Sequence, residues 1–310
     1  MMLTPSTEAI HRRYAGHSPF SLRDVDSYLR WRDWKLECAP TSVSDLIVEV
    51  RDLGRLTPVE HGAIADRCRQ ANMAIYVGAD ERDDNALPRR LAAQFGLRRL
   101  DANWLADDDG VSRLEVGEST GRGEFIPYTD RPIRWHTDGY YNPPSRQIRS
   151  MVLHCVRDAA DGGDNALLDH EMAYILLRDE NPEFVAALSA PDAMRIPCLE
   201  DANGTARAEE TGPVFHVDPE DGQLHMRYTA RTTSIEWKND ALTQAAVRRL
   251  AEMLDAPLPW ILRARLEPGS GLICNNVLHT RNGFRDDPSR PRLLFRARYL
   301  DRVASPQQRP

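Results

Sequence analysis

A chain of 310 residues, 41% hydrophobic and 28% charged, has the composition of an ordinary globular protein, which excludes wholly disordered, collagenous and coiled-coil classes. Forty basic residues against 47 acidic ones leave a formal net charge of −7, which argues against a protein built on phosphate contacts with nucleic acid. No apolar run approaches the ~20 residues of a membrane helix, and the N-terminal MMLTPSTEAIHRRYAGHSPF lacks the apolar centre of a signal peptide, so the expected setting is the cytoplasm.

The first ~20 residues and the tail from Pro306 to Pro310 are expected to be loosely held. Leu46 to Val50 reads as a strand. Thr57-Pro58-Val59-Glu60 is a capping box with proline at the first helical position, and the helix it opens runs to about Asn72. Ala74 to Val77 reads as a strand, and a short helix from Leu87 to Phe95 ends at Gly96. Further strands are expected at Ile148–Val156, Leu224–Tyr228, Ile261–Leu266, Gly271–Cys274 and Leu293–Leu300. Two helical stretches interrupt them. One runs from Asp169 to Ala187 and breaks at Asn181-Pro182, where Asn181 caps a second helix. The other runs from about Asp240 to Leu254, with apolar residues at helical spacing. Short strands with helical inserts after an αβ segment predict a sandwich or barrel core with helices packed outside. No composition break marks a linker, so one domain is expected over residues 1–310. The five cysteines form no CxxC pair and are expected to be buried, reduced thiols.

Chemistry concentrates in three places. In Arg134-Trp135-His136-Thr137-Asp138, His136 and Asp138 share one face of an extended segment and can offer two ligands to a divalent metal. His279 follows a Pro-Gly-Ser-Gly turn and an apolar strand. Two histidines and one carboxylate leave three coordination positions open, the facial arrangement of non-haem Fe(II) oxygenases. In Arg290-Pro291-Arg292-Leu293-Leu294-Phe295-Arg296-Ala297-Arg298, alternation puts Arg292, Leu294, Arg296 and Arg298 on one face. Those arginines either face water or line a polar cavity and bind carboxylates through the guanidinium fork. Gly162-Gly163-Asp164-Asn165 is a turn between strands. His154, in a strand after the triplet, reads as core or cavity lining, His170, His216 and His225 have no partner at ligand spacing, and Arg281 and Arg285 are expected at the surface.

The HxD triplet, the distant His279 in a VLHTRNGF context, the arginine beyond it and the GGD turn resemble the taurine dioxygenase (TauD/TfdA) family of Fe(II)- and 2-oxoglutarate-dependent oxygenases, over residues 43 to 301. The resemblance implies a mainly β fold, a double-stranded β-helix or jelly roll with flanking helices. It implies that His136, Asp138 and His279 hold Fe(II), that 2-oxoglutarate and O2 are co-substrates, and that the enzyme oxidises, by hydroxylation first of all, a small anionic molecule. Arg292 then matches the anchor for the distal carboxylate of 2-oxoglutarate, with Arg290 as its rival. Arg296 matches the position that in the family's namesake holds the substrate's anionic group. Asn165 falls where that enzyme has a threonine touching 2-oxoglutarate. Neither nucleic acid nor membrane is expected as a partner, and a homo-oligomer stays open. On the residues alone, a metal-dependent hydrolase with the same triad and a non-enzymatic jelly-roll binding protein remain alternatives.

Overall fold

The computed structural model describes residues 18–101, 110–116, 126–201 and 204–303, so the expectations for the extreme termini lie largely outside the described residues. Helix α1 spans Val25–Cys38 and opens at Asp24, whose carboxylate accepts from the Ser27 N–H at 3.0 Å. Periodicity misses this helix because its buried face is Tyr28, Trp31 and Lys35, and the lysine reads as polar. Then come β1 (Ile47–Glu49), α2 (Pro58–Ala71), β2 (Met73–Val77), α3 (Leu87–Gln94), β3 (Val111–Leu114), β4 (Ile133–His136), β5 (Ser150–Arg157) and β6 (Asn165–Leu168). Helices α4 (His170–Glu180), α5 (Pro182–Leu188) and α6 (Ala241–Asp255) follow, and the core closes with β7 (Leu262–Ala264), β8 (Ser270–Cys274), β9 (Leu278–Arg281) and β10 (Leu293–Tyr299).

The expected caps form. Thr57 and Glu60 bond reciprocally at the start of α2, and Asn72 ends it in the left-handed conformation at φ 58°. Asn181 ends α4 and caps α5 by accepting from the Glu183 N–H at 3.0 Å. One strand lands elsewhere: Leu224–Met226 pairs with Phe215–Val217 in a separate hairpin, outside the two main sheets.

Those sheets have the orders β1-β2-β8-β5-β10-β3 and β7-β6-β9-β4. Only β1 and β2 pair in parallel; the other described ladders of the two sheets are antiparallel. Side-chain alternation sorts three apolar layers. Met151, Leu153, Cys155, Leu272 and Leu294 meet Leu167, Leu262 and Ala264 between the sheets. Val152, Val156, Ile273 and Phe295, from the opposite face of the same strands, pack on Ile64 of α2 and Leu87 and Leu91 of α3. Trp135, Ala166, Leu168 and Leu278 pack under α4, α5 and α6. Each fully buried Leu, Ile, Val or Phe side chain contributes about 1.5–3 kcal/mol, so both faces of each sheet are held. This is the double-stranded β-helix with flanking helices.

A buried ion cluster fastens α1 to this core. Lys35 Nζ lies 2.6 Å from Asp169 Oδ2 and 2.6 Å from Glu171 Oε2, with all three side chains buried. Asp169 also accepts from Asn72 Nδ2 at 2.8 Å, which joins the end of α2 to the start of α4. Lys35→Met would leave two buried carboxylates without their cation and should cost about 3–5 kcal/mol. Urea unfolding should show a lower midpoint at unchanged slope; a midpoint equal to wild type would refute a structural role for the cluster.

The thiols need a correction. All five cysteines are free, but only Cys68, Cys155 and Cys274 are buried; Cys38 is half-buried and Cys198 exposed. Cysteine's usual burial is a statistical tendency, and Cys198 lies in a short connection that no layer covers. Among the described residues no helix is long and apolar enough to cross a membrane.

Candidate functional site

Strands β4 and β9 are neighbours, and their register makes His136 and His279 direct cross-strand partners. Their ring centroids are 4.1 Å apart. Each imidazole uses Nδ1 on a local carbonyl: His136 on Arg134 O at 2.9 Å, and His279 on Val277 O at 2.9 Å. That bond places the proton on Nδ1 and leaves the Nε2 lone pair for a cation. Asp138, in the turn after β4, brings Oδ1 to 3.5 Å from His136 Nε2 and 3.9 Å from His279 Nε2. The three ligand atoms lie within 4.8 Å of one another.

The electrostatics suit a metal. Burial by itself would raise the Asp138 pKa, but Arg296, the hydrogen bond from His136, Arg298 and His279 together hold the carboxyl well below the usual range. Burial, with His136 beside it, holds His279 down to about 4 against the pull of Asp138, so the imidazole is neutral at pH 7. A carboxylate and a neutral imidazole are the ligand forms. Arg296 Nη1 stands 3.2 Å from Asp138 Oδ2, yet that buried oxygen has no well-aligned hydrogen bond among the described residues. Bonds of about 2.1 Å at right angles would separate donors by about 3 Å, so a modest contraction closes the triad on a divalent ion. The residues present therefore fit an Fe(II) ligand set.

Arg292 heads the inner face of β10 and is 6% exposed. Its backbone N–H bonds to Asp286, and its guanidinium carbon lies 4.9 Å from the Phe284 ring centroid. Among the described residues no carboxylate or carbonyl meets that guanidinium. A buried fork without a counter-ion is costly by itself and suited to an arriving carboxylate. Arg290 differs: it is exposed and pairs with Asp158 at 3.2 Å. The alternation on β10 therefore turns the arginines inward. Arg298 is buried against Asp101 at 2.7 Å, and the half-buried Arg296 pairs with Asp138.

Asn165 is buried on β6, and its Nδ2 donates to Thr280 O at 2.8 Å, one residue past His279. In the adjoining turn Gly162 has φ 73°, and a Cβ there would stand 2.4 Å from Gly283 O, so only glycine fits. One expectation changes. Arg281 is buried, with Nη2 donating to Thr129 O at 2.6 Å and Arg131 O at 2.6 Å. Burial, then the nearby Arg292, moves its pKa down to about 9. It ties the lead-in to β4, a role that alternation from His279 could have suggested. Trp135 belongs to the outer core, its Nε1 donating to Leu254 O at 3.1 Å, while Tyr140 and Tyr141 stay half-buried beside the triad turn. His154 is a core residue beside Tyr76, and Arg285 is exposed as expected.

The chain is 34% identical over 177 residues to a uridine-5'-phosphate dioxygenase of Amycolatopsis sp, a match covering 54% of this chain and 60% of that protein's length. It is 29% identical over 213 residues to a uridine-5'-phosphate dioxygenase of Streptomyces sp, covering 64% of this chain and 73% of that one. Its fold matches the non-haem iron oxygenase OrfP in complex with Fe and alpha-ketoglutaric acid, with a TM-score of 0.57 and 15% identity over 99% of this chain and 93% of the other. The family described as taurine catabolism dioxygenase TauD, TfdA matches residues 82–298, a stretch that holds the triad and Arg292, Arg296 and Arg298, and the chain belongs to that family.

Proposed function

We propose that this chain is an Fe(II)- and 2-oxoglutarate-dependent dioxygenase that hydroxylates a small phosphorylated substrate, with nucleoside 5'-monophosphates as the first class to examine. The observation that carries the reading is the pairing of a metal-ligand triad with a buried Arg292, on a neighbouring inner face, whose guanidinium meets no carboxylate among the described residues. His136, Asp138 and His279 would hold the iron, and when bound with 2-oxoglutarate it supplies dioxygen activation, with release of succinate and CO2. Arg292 receives the distal carboxylate through two parallel N–H bonds. Asn165 follows two residues after Gly163, where a Cβ would stand 3.6 Å from Arg292 Nε, and keeps one amide proton for the co-substrate. The apolar layer of Leu153, Leu167 and Leu294 limits water beneath the site. Arg296 is the cation nearest Asp138, and once Asp138 serves a metal its guanidinium is available to a substrate anion. The names of the two sequence relatives support a phosphate as that anion. A cytoplasmic setting belongs to the same reading, supported by five free thiols.

The test is succinate formation with Fe(II), 2-oxoglutarate and air, comparing uridine 5'-monophosphate with uridine. Iron-dependent succinate that the phosphate ester stimulates and the nucleoside does not is the expected result. No iron-dependent succinate would sink the enzyme class, and equal stimulation by both compounds would sink the phosphate. Arg296→Ala should raise the KM for the phosphorylated substrate at least tenfold while uncoupled 2-oxoglutarate turnover persists. Loss of both together would assign Arg296 to the co-substrate or to folding.

A further inference from the structure

The two imidazoles of the triad owe their aim to regular strands, but Asp138 lies beyond β4, where no ladder holds it. Its backbone is gripped instead by one side chain from the other sheet's connection. Asn276, between β8 and β9, accepts from the Asp138 N–H through Oδ1 at 2.7 Å. Its Nδ2 donates to Asp138 O at 2.9 Å and to Ile148 O at 2.6 Å. The amide thus uses its oxygen and its nitrogen, and both peptide groups of Asp138 are satisfied by it. Asn276 reaches this position at φ 52°, a left-handed conformation that asparagine tolerates better than most residues. Gly139, at φ 65°, presses the same turn onto Ile148: a Cβ there would stand 2.4 Å from Ile148 Cγ1. Three segments, the HxD turn, the entry to β5 and the lead-in to β9, therefore meet on the Asn276 amide.

We propose that Asn276 is the positioning residue of the metal site, fixing the Asp138 carboxylate toward the two imidazoles before a cation arrives. The inference rests on the triad assignment made above. Without the clamp, the bonds between Thr137 and Tyr228 still hold the start of the turn, but Asp138 can turn further toward Arg296, whose Nη1 is already 3.2 Å away. The neighbouring Asn275 provides an internal control. It is equally buried, but its Nδ2 donates to Asn72 Oδ1 at 3.2 Å and its Oδ1 accepts from the Val303 N–H at 2.9 Å, so it fastens the fold and touches no ligand residue.

The experiment measures the affinity of the full chain for Co(II) alone, by calorimetry and by the visible ligand-field bands, in wild type, Asn276→Gly, Asn275→Ala and His279→Ala. Glycine accepts a positive φ without strain, so Asn276→Gly removes the three side-chain bonds and little else. Its Co(II) affinity should fall roughly 10- to 100-fold, the usual loss when an outer partner of a metal ligand is removed. Asn275→Ala should melt at a lower temperature and bind Co(II) as wild type does. Asn276→Ser, too short to span the three groups, repeats the test should the glycine variant not fold. Wild-type affinity in the Asn276 variants overturns the proposal, and so does an equal loss in Asn275→Ala, which would mark a general effect of folding. If His279→Ala binds Co(II) as tightly as wild type, the triad itself is wrong and the role of Asn276 falls with it.

Discussion

His279→Ala is expected to remove iron-dependent turnover and to lower metal affinity by more than the 10- to 100-fold that outer partners of a ligand are worth. His279 is a direct ligand candidate, neutral at pH 7 and fixed by Val277 O, so its loss leaves two donors where three converge. A ligand that binds only the folded state stabilises it by about 2.7 kcal/mol at a concentration one hundred times its Kd. Wild-type protein should therefore melt higher when Fe(II) is added without air, and His279→Ala should not. The metal-free variant should melt near wild type, because a neutral imidazole leaves no buried charge behind. Asp138→Ala is a less clean probe, since it also strips Arg296 of its partner at 3.2 Å. A metal-dependent rise in melting temperature that survives in His279→Ala would refute the triad.

The second large effect belongs to Arg292. Removing one partner of a buried, hydrogen-bonded charge pair costs about 2–5 kcal/mol, a factor of roughly 30 to several thousand in binding. Arg292→Ala should raise the 2-oxoglutarate KM within that range, with Co(II) affinity nearly unchanged. Arg290→Ala, which loses an exposed pair with Asp158, should shift neither. Stability should move the other way. Arg292 is a buried cation without a counter-ion among the described residues, so Arg292→Met is expected to hold or raise the melting temperature of the free protein. An Arg292→Ala enzyme with an unchanged 2-oxoglutarate KM, or an Arg290→Ala enzyme that needs far more, would move the anchor elsewhere on this strand.

The features legible from the chain alone were local. The Thr57-Pro58-Glu60 box and the Asn181-Pro182 break depend on groups a few residues apart, and both formed where expected. The residue types of the triad, and the grouping of Arg292, Arg296 and Arg298 on one face of a strand, were equally legible, because alternation is a property of the extended chain. Alternation does not say which face meets water. Only the second sheet, packing across Leu294 and Leu153, decided that the arginines point inward. Arg281 and Lys35 became buried for the same reason: distant carbonyls and carboxylates receive them, and no local pattern announces such partners. The pairing of His136 with His279 is a register, chosen when apolar faces close two antiparallel strands far apart in the chain. The hold of Asn276 on Asp138 follows from that closure, since only the folded core brings the turn after β4 against the connection between β8 and β9.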